Sequence, residues 1–400
     1  MSTVLYKITL ISARTGARCQ RGPAACREPG SQVRSAHPSA FGARALFNLS
    51  NLSMSESSRV IPGSAATSSA ATAVPTSFRP FELSELEQAA ALVHRSILPT
   101  PQYAWPKLAR RVGSTVWVKH ENHTPTGAFK VRGGLVYLDR LLRAQPKVAG
   151  VISATRGNHG QSISFAAARA GVSATIYAPY GNSPDQNDSM AAFGATVVEF
   201  GRDFDEAKHE ACRVAAERGL HFIPSFHRDL VAGVASYALE LFRAVPDLDT
   251  VYVGIGMGSG ICGLIAVRDL LGLKTEIVGV SAANAPASAL SFAAGRPVTT
   301  PSALTFADGL ATREPNADAI SIICGGAARV LQVSEHEIAE AVRIYFDDTH
   351  QIAEGAGAAP LAALLQEQSR MARKKVAVIM TGGNIERARL LHTLSGKTPQ

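Results

Sequence analysis

A parallel α/β fold, open sheets with helices on their faces, is what the 400-residue chain predicts. Short β-branched or apolar runs recur along most of it: "TVWVKH", "GVISA", "ATIYAP", "ATVVEF", "TVYVGIG", "EIVGVSA" and "KVAVIMTG". Helix-like stretches separate them, and strands that alternate with helices pair in parallel through crossovers. Length adds a third observation, since 400 residues at 46% hydrophobic and 18% charged are enough for two domains.

Residues 1–77 stand apart. They are rich in Ser, Ala, Arg, Gly and Pro, and "SAATSSAATAVPTS" cannot bury enough apolar area to offset its ordering entropy. A disordered extension is expected there. Its Arg-rich, acid-poor start resembles a transit peptide. The reading preferred over that is an over-extended frame whose true start is Met54. The charge lies in the same place. Residues 1–53 hold seven basic residues and one acid, +6 of the net +8, which leaves +2 for the other 347. A nearly neutral body argues against nucleic acid as a partner. No apolar run reaches the ~20 residues of a membrane helix, so no membrane partner is expected. The five cysteines are scattered without a CxxC pair, which points to a reducing, cytoplasmic setting.

Regular elements begin at "FELSELEQAAALVHRSI", and several of the strands then run into a glycine- or polar-rich loop. Open α/β sheets bind ligands at those carboxyl ends. "TVWVKH" leads to "TGAFKVRGG", where Lys130 sits between Phe129 and two glycines. Alone, that lysine reads as a solvated surface charge. The sharper reading is a desolvated amine within reach of a carbonyl. "GVISA" leads to "SATRGNHG", where Thr155, Arg156, Gly157, Asn158 and His159 open a helix whose N–H groups suit a carboxylate. "TVYVGIG" leads to "GIGMGSGICG", whose Gly256, Gly258 and Gly260 let backbone N–H groups approach a phosphate, with a ligand-free turn as the alternative. Gly258, Gly260 and Gly263 also satisfy GxGxxG, but the next strand carries Glu276 at its start rather than an acid at its end, so a dinucleotide is disfavoured. "KVAVIMTG" leads to Thr381, a neutral hydroxyl, and then Gly-Gly-Asn. An amine for an aldehyde, an amide for a phenolate, a hydroxyl for a ring nitrogen and a phosphate cradle converge on one cofactor, pyridoxal 5'-phosphate.

The ordered blocks resemble the fold-type II pyridoxal-phosphate enzymes, in particular the threonine/serine dehydratase and serine racemase branch. "KHENHTPTGAFKVRGG" is similar to that family's K-x-E-x-x-x-x-T-G-S-F-K-x-R-G-A block, "RGNHGQ" to SxGNHxQ, "GMGSGICG" to GGGGLxSG and "TGGN" to SGGN. "TFADGLA" and "AEGAGAAPLAAL" resemble two further segments, and the matches run in family order from about residue 85 to 390. The resemblance implies a tryptophan synthase β-like fold. Residues 78–151 and 232–393 would form the large cofactor domain, 152–231 a small mobile domain that closes over substrate, and 394–400 a tail. It also implies that Lys130 condenses with the cofactor aldehyde, that Asn158 bonds the 3-hydroxyl oxygen and that Thr381 faces the pyridine nitrogen. Gly256, Met257, Gly258 and Ser259 would hold the phosphate, Phe129 and Gly309 would lie against the ring faces, and the chain would assemble as a homodimer or homotetramer.

The reaction so implied is loss of the β-hydroxyl and amino group of a small amino acid, L-threonine or L-serine, giving a 2-keto acid and ammonia in amino-acid catabolism. Alternatives are a 3-hydroxyaspartate ammonia-lyase, a racemase, a β-replacement synthase and, from another class, a non-catalytic sensor. Departures from the family pattern bear on these. The four-glycine run is Gly-Met-Gly-Ser, which still offers N–H groups if neither Met257 nor Ser259 needs a positive φ. Ala128 stands where the family has serine, and Arg156 where it has a small residue. In racemases of this group a serine there serves the second face of the α-carbon, and arginine is a poor proton shuttle. Arg156 instead grips a carboxylate, including a second one on the substrate, or points to solvent. "VSAANAPAS" lacks the acid with which some relatives bind a divalent cation, so no metal site is expected. The sixteen residues after Asn384 leave no room for the effector domain of biosynthetic threonine dehydratases.

Overall fold

The computed structural model describes residues 81–399, so the predicted extension, residues 1–77 with the Met54 start, lies outside the described residues. In chain order the strands are β1 (Gln102–Ala104), β2 (Thr115–His120), β3 (Val151–Ala154), β4 (Ala174–Ala178), β5 (Thr196–Glu199), β6 (His221–Phe222), β7 (Thr250–Gly254), β8 (Glu276–Ala282), β9 (Arg329–Val333) and β10 (Lys375–Met380). They form two sheets, one ordered β1-β2-β10-β7-β8-β9 and one ordered β5-β4-β3-β6. Every pairing is parallel except that of β1 with β2. The seven apolar runs of the sequence supply seven of these strands. The other three, β1, β6 and β9, all lie at sheet edges. An edge strand has one neighbour and need not be apolar on both faces, which is why "QYA", "HF" and the half-exposed "RVLQV" carry no strong pattern.

Each sheet is covered on both sides, and the side chains divide with the period of two that a pleated strand imposes. On β7, Val251 and Val253 join one core while Tyr252 joins the other; on β10, Ala377 and Ile379 face the first and Val376, Val378 and Met380 the second. The four-stranded sheet repeats this, with Val151 on one side of β3 and Ile152 and Ala154 on the other. Among the described residues no helix is long and apolar enough to cross a membrane.

The helix Lys130–Ala144 runs against two others, Asn158–Ala170 and Arg228–Ala244, and glycines set how closely. A Cβ at Gly133 would meet the Leu230 carbonyl at 2.8 Å, one at Gly134 would strike Ser162, and one at Gly233 would strike the Arg132 carbonyl. Ser162 Oγ donates to the Lys130 carbonyl at 2.7 Å. The two glycines after the lysine are therefore packing residues.

Beneath this helix lies a buried, charge-balanced cluster. Arg132 donates to Glu121 (2.7 and 3.0 Å), to Glu240 (2.6 and 3.0 Å) and to Ser236 (2.9 Å). Lys119 donates to Glu240 (2.6 Å) and to the Thr100 carbonyl (2.8 Å), and Thr100 Oγ1 donates to Glu121 (2.6 Å). Two cations thus face two carboxylates. Burial works to raise the Glu240 pKa, but Arg132 and Lys119 more than reverse it and hold the carboxyl at about 2. The cluster ties the end of β2 to the Lys130 helix and to the helix Arg228–Ala244.

Removing one member strands the others without water. Arg132→Met should destabilise the protein by about 3 to 5 kcal/mol, because Glu121 loses its hydrogen-bonded cation and keeps only Lys119 at 4.0 Å. Guanidinium unfolding measures this, and an unchanged midpoint would contradict it.

Candidate active site

β2, β10 and β7 are adjacent, so their carboxyl ends deliver three loops to one place. The loop after β2 is pinned to the loop after β10: Ala128 bridges Gly382, Phe129 N donates to the Thr381 carbonyl (3.0 Å) and Gly383 N to the Gly127 carbonyl (2.9 Å). Thr124 Oγ1 accepts from Ala128 N (3.0 Å) and donates to the Ala128 carbonyl (2.9 Å), so the backbone is held where the side-chain hydroxyl is missing.

Lys130 is the first residue of its helix, and its Nζ lies 5.2 Å from the Phe129 ring centre. Burial lowers the amine pKa from 10.5 to about 8, with Glu354 pulling the other way. About a tenth of the amine is then uncharged at pH 7, far more than for an unshifted lysine, and that is the state that attacks an aldehyde. Facing it, burial raises the Glu354 pKa from 4.5 to about 7, and the amide of Asn158, donating at 2.8 and 3.1 Å, holds the carboxyl against that rise. Asn158 Oδ1 in turn accepts from Asn384 Nδ2 (2.7 Å), which also donates to the Thr126 carbonyl (2.8 Å). Glu354 and Asn384 were missed as site residues. Both lie inside quoted segments, "AEGAGAAPLAAL" and "TGGN", but nothing local marks an acid before a Gly/Ala-rich helix as facing a lysine more than two hundred residues away.

After β7, Gly258 has a φ of +98°, whereas Met257 and Ser259 are not among the positive-φ residues. The glycine-to-Met and glycine-to-Ser departures are thus free of backbone strain. A Cβ at Gly256 would strike the Gly309 carbonyl, so only glycine lets these segments meet. Ser259 begins the helix Ser259–Leu270. The starts of this helix, of the Lys130 helix and of the helix Asn158–Ala170 all lack a side-chain cap. First-turn N–H groups have no acceptor within the helix, so each start is ready for an anion.

In the loop after β3, Gly157 N donates to Thr155 Oγ1 (3.1 Å) and Asn182 Nδ2 to the Arg156 carbonyl (3.1 Å). The Arg156 side chain is exposed. His159 is buried; burial first, and Lys130 second, hold its imidazole down to about 3, so it is neutral, and its Nε2 has no partner. Every residue predicted for the site, from Phe129 and Lys130 through Thr155–His159 and Gly256–Ser259 to Gly309 and Thr381, lines one cleft of about 430 Å³. The residues fit pyridoxal phosphate: an amine of lowered pKa, a glycine turn at a helix start without a side-chain cap, an amide donor that Glu354 now receives and a buried neutral hydroxyl at Thr381.

That arrangement defines a pyridoxal-phosphate enzyme. The profile of the pyridoxal-phosphate dependent enzyme family matches residues 93–382, and the chain belongs to that family. Among its relatives, the L-threonine ammonia-lyase of Geobacter sulfurreducens is 36% identical over 282 residues, 70% of this chain and 69% of that one. The biosynthetic L-threonine dehydratase IlvA of Haemophilus influenzae is 30% identical over 76% of this chain, which spans only 58% of that enzyme's length. The processed threonine deaminase isoform 2 of Solanum lycopersicum superposes with a TM-score of 0.73 at 26% identity, covering 79% of this chain and 94% of that structure. A maize serine racemase gives 0.74 at 25% identity, covering 79% and 97%.

Glu354 and Lys130 contribute opposite pH slopes to the stability of the cofactor-free protein, on top of that of His159, whose lowered pKa makes stability rise with pH between about 3 and 6.5. The fold raises the Glu354 pKa, so folded protein keeps a proton that unfolded chain releases, and stability is lost as pH rises from 4.5 to about 7. The fold lowers the Lys130 pKa, so unfolded chain holds the extra proton between about 8 and 10.5 and stability rises across that window. Glu354→Gln should remove the first slope, worth on the order of 3 kcal/mol. Chemical denaturation at a series of pH values compares the two proteins, and equal slopes below pH 7 would contradict the assignment.

Proposed function

We propose that the protein is a pyridoxal-phosphate dependent ammonia-lyase that removes the β-hydroxyl and amino group of a β-hydroxy amino acid, L-threonine and also L-serine, releasing a 2-keto acid and ammonia. The observation that carries this is the buried Lys130 amine, its pKa lowered to about 8, in one cleft with an uncapped helix start and a neutral Thr381. The names of the relatives in Geobacter sulfurreducens and Thermotoga maritima, both L-threonine ammonia-lyases, support it.

Bound pyridoxal phosphate supplies an electron sink for the charge that develops at the substrate α-carbon. The N–H groups of Gly256–Ser259 would hold its phosphate, and Phe129 and Gly309 would lie against its ring. Asn158, whose amide donates to Glu354 without the cofactor, would donate to the 3-hydroxyl oxygen, and Thr381 would face the ring nitrogen. Being neutral, Thr381 does not lock a proton on that nitrogen, which favours prompt loss of the β-hydroxyl. The residues Thr155–His159 hold the substrate carboxylate at a helix start. The Lys130 amine, uncharged in useful proportion near neutrality, takes the α-proton. Racemisation would need a proton carrier on the opposite face, and a guanidinium is a poor proton shuttle. Residues 152–231 form the small domain that closes over substrate in this reading. Contacts such as Gln186 to the Asn384 carbonyl (3.1 Å) and Arg313 to Asp205 (2.5 Å) join segments of the two sheets across the cleft. A cytoplasmic homodimer or homotetramer completes the reading.

Lys130→Ala should abolish both keto-acid release from L-threonine and the ~410–430 nm absorbance of lysine-bound cofactor. Turnover at the parental rate in that variant would remove Lys130 from the role.

A further inference from the structure

The charges that line the cleft are balanced with one exception. Arg389 faces Asp308 (2.6 Å) and Glu386 (3.7 Å), and Lys130 is the buried amine opposite Glu354. Arg156 also lines the cleft, is exposed and has no ion-pair partner among the described residues. Its starting point is nevertheless fixed. The buried Asn182 holds the Arg156 carbonyl (3.1 Å) while bonding Asn187 (2.7 Å), and Thr155 holds the next residue by its N–H. Immediately after it comes the uncapped start of the helix Asn158–Ala170, which already serves one carboxylate in the proposed function.

We infer that Arg156 is a specificity determinant that receives a carboxylate on the substrate's β-carbon, so that a β-hydroxy dicarboxylic amino acid of the 3-hydroxyaspartate type is a substrate of this cleft. The inference rests on the proposed β-elimination. A monocarboxylic substrate such as threonine would leave the guanidinium opposite a methyl group, whereas a second carboxylate matches its planar fork with two parallel hydrogen bonds. The cleft, about 430 Å³ and shared with the cofactor, suits a four-carbon acid better than a bulky phosphate ester. The chemistry balances without an oxidant or reductant. The Cα–H and Cβ–O bonds break, water leaves, and the resulting enamine is hydrolysed to a keto-dicarboxylate and ammonia.

The test measures keto-acid release by the holoenzyme from L-threonine, L-serine and the threo and erythro forms of 3-hydroxyaspartate, for the parent, Arg156→Ala and Arg156→Lys. Parental turnover of 3-hydroxyaspartate is expected. In Arg156→Ala its KM, relative to that for threonine, should rise roughly 10- to 100-fold, the scale of a lost charge-assisted hydrogen bond. Arg156→Lys, which keeps the charge but not the fork, should fall between. As a readout apart from turnover, calorimetry should show succinate binding the parent holoenzyme more tightly than butyrate, and that preference should vanish in Arg156→Ala. A parent that deaminates threonine but neither form of 3-hydroxyaspartate overturns this inference and leaves the proposed function standing. An Arg156→Ala variant that shifts both substrates equally does the same. No keto acid from any of the substrates overturns the proposed function and this inference with it.

Discussion

Lowering the pKa of one half-buried amine organises this molecule. An exposed lysine would stay protonated near neutrality and could not condense with an aldehyde. Holding it in place takes three independent supports. The lysine helix is pressed against two neighbours at glycines, Gly133 and Gly134 on one side of the contact and Gly233 on the other. The loop before it is stitched to the end of β10 through Ala128 and Gly382. Below, the Arg132 cluster fixes the same helix to β2 without net charge. Burying two ions of each sign does little for net stability by itself. Its contribution is placement, because the hydrogen bonds are satisfied in one arrangement of three elements.

The cleft then has to manage charge inside a dry region. Burial pushes the two facing groups toward their neutral forms, the Lys130 amine downward and the Glu354 carboxyl upward, while each partly restores the other's charge. Positive potential for anions comes instead from backbone, from the N–H groups at the starts of helices without side-chain caps. Backbone donors cannot be lost by titration. In the proposed function, that leaves Lys130 free to change its protonation without loosening the grip on either phosphate or carboxylate.

Much of this was legible in the sequence because the relevant signals are local. The strands that carry site loops are interior, apolar on both faces, and stand out as β-branched runs; the three that did not stand out are edge strands. The lysine, the asparagine loop and the glycine loop were recognisable because each packs its chemistry into a few consecutive residues. Glu354 and Asn384 were not, because their importance comes from a pairing with Asn158 that spans about two hundred residues. The ion cluster was hidden differently. Lys119, Glu121 and Arg132 all occur inside the lysine block, where they look like ordinary surface charges, and only Glu240 and the packing show them to be interior. Spacing alone cannot tell a solvated charge from a buried one.

Arg156 marks the other end of the same gradient. From Lys130 to Arg156 the cleft passes from a half-buried amine of lowered pKa to an exposed guanidinium, and the energetic consequences of change differ accordingly. A substitution at the dry end disturbs packing, the hydrogen-bond network and a tuned pKa together. Replacing an exposed side chain with no ion pair costs the fold little, usually within about 0.5 kcal/mol. Substrate preference can therefore be rewritten at the mouth while the chemistry below stays intact. In the inference drawn for Arg156, its charge is offered to the incoming molecule rather than spent inside the protein.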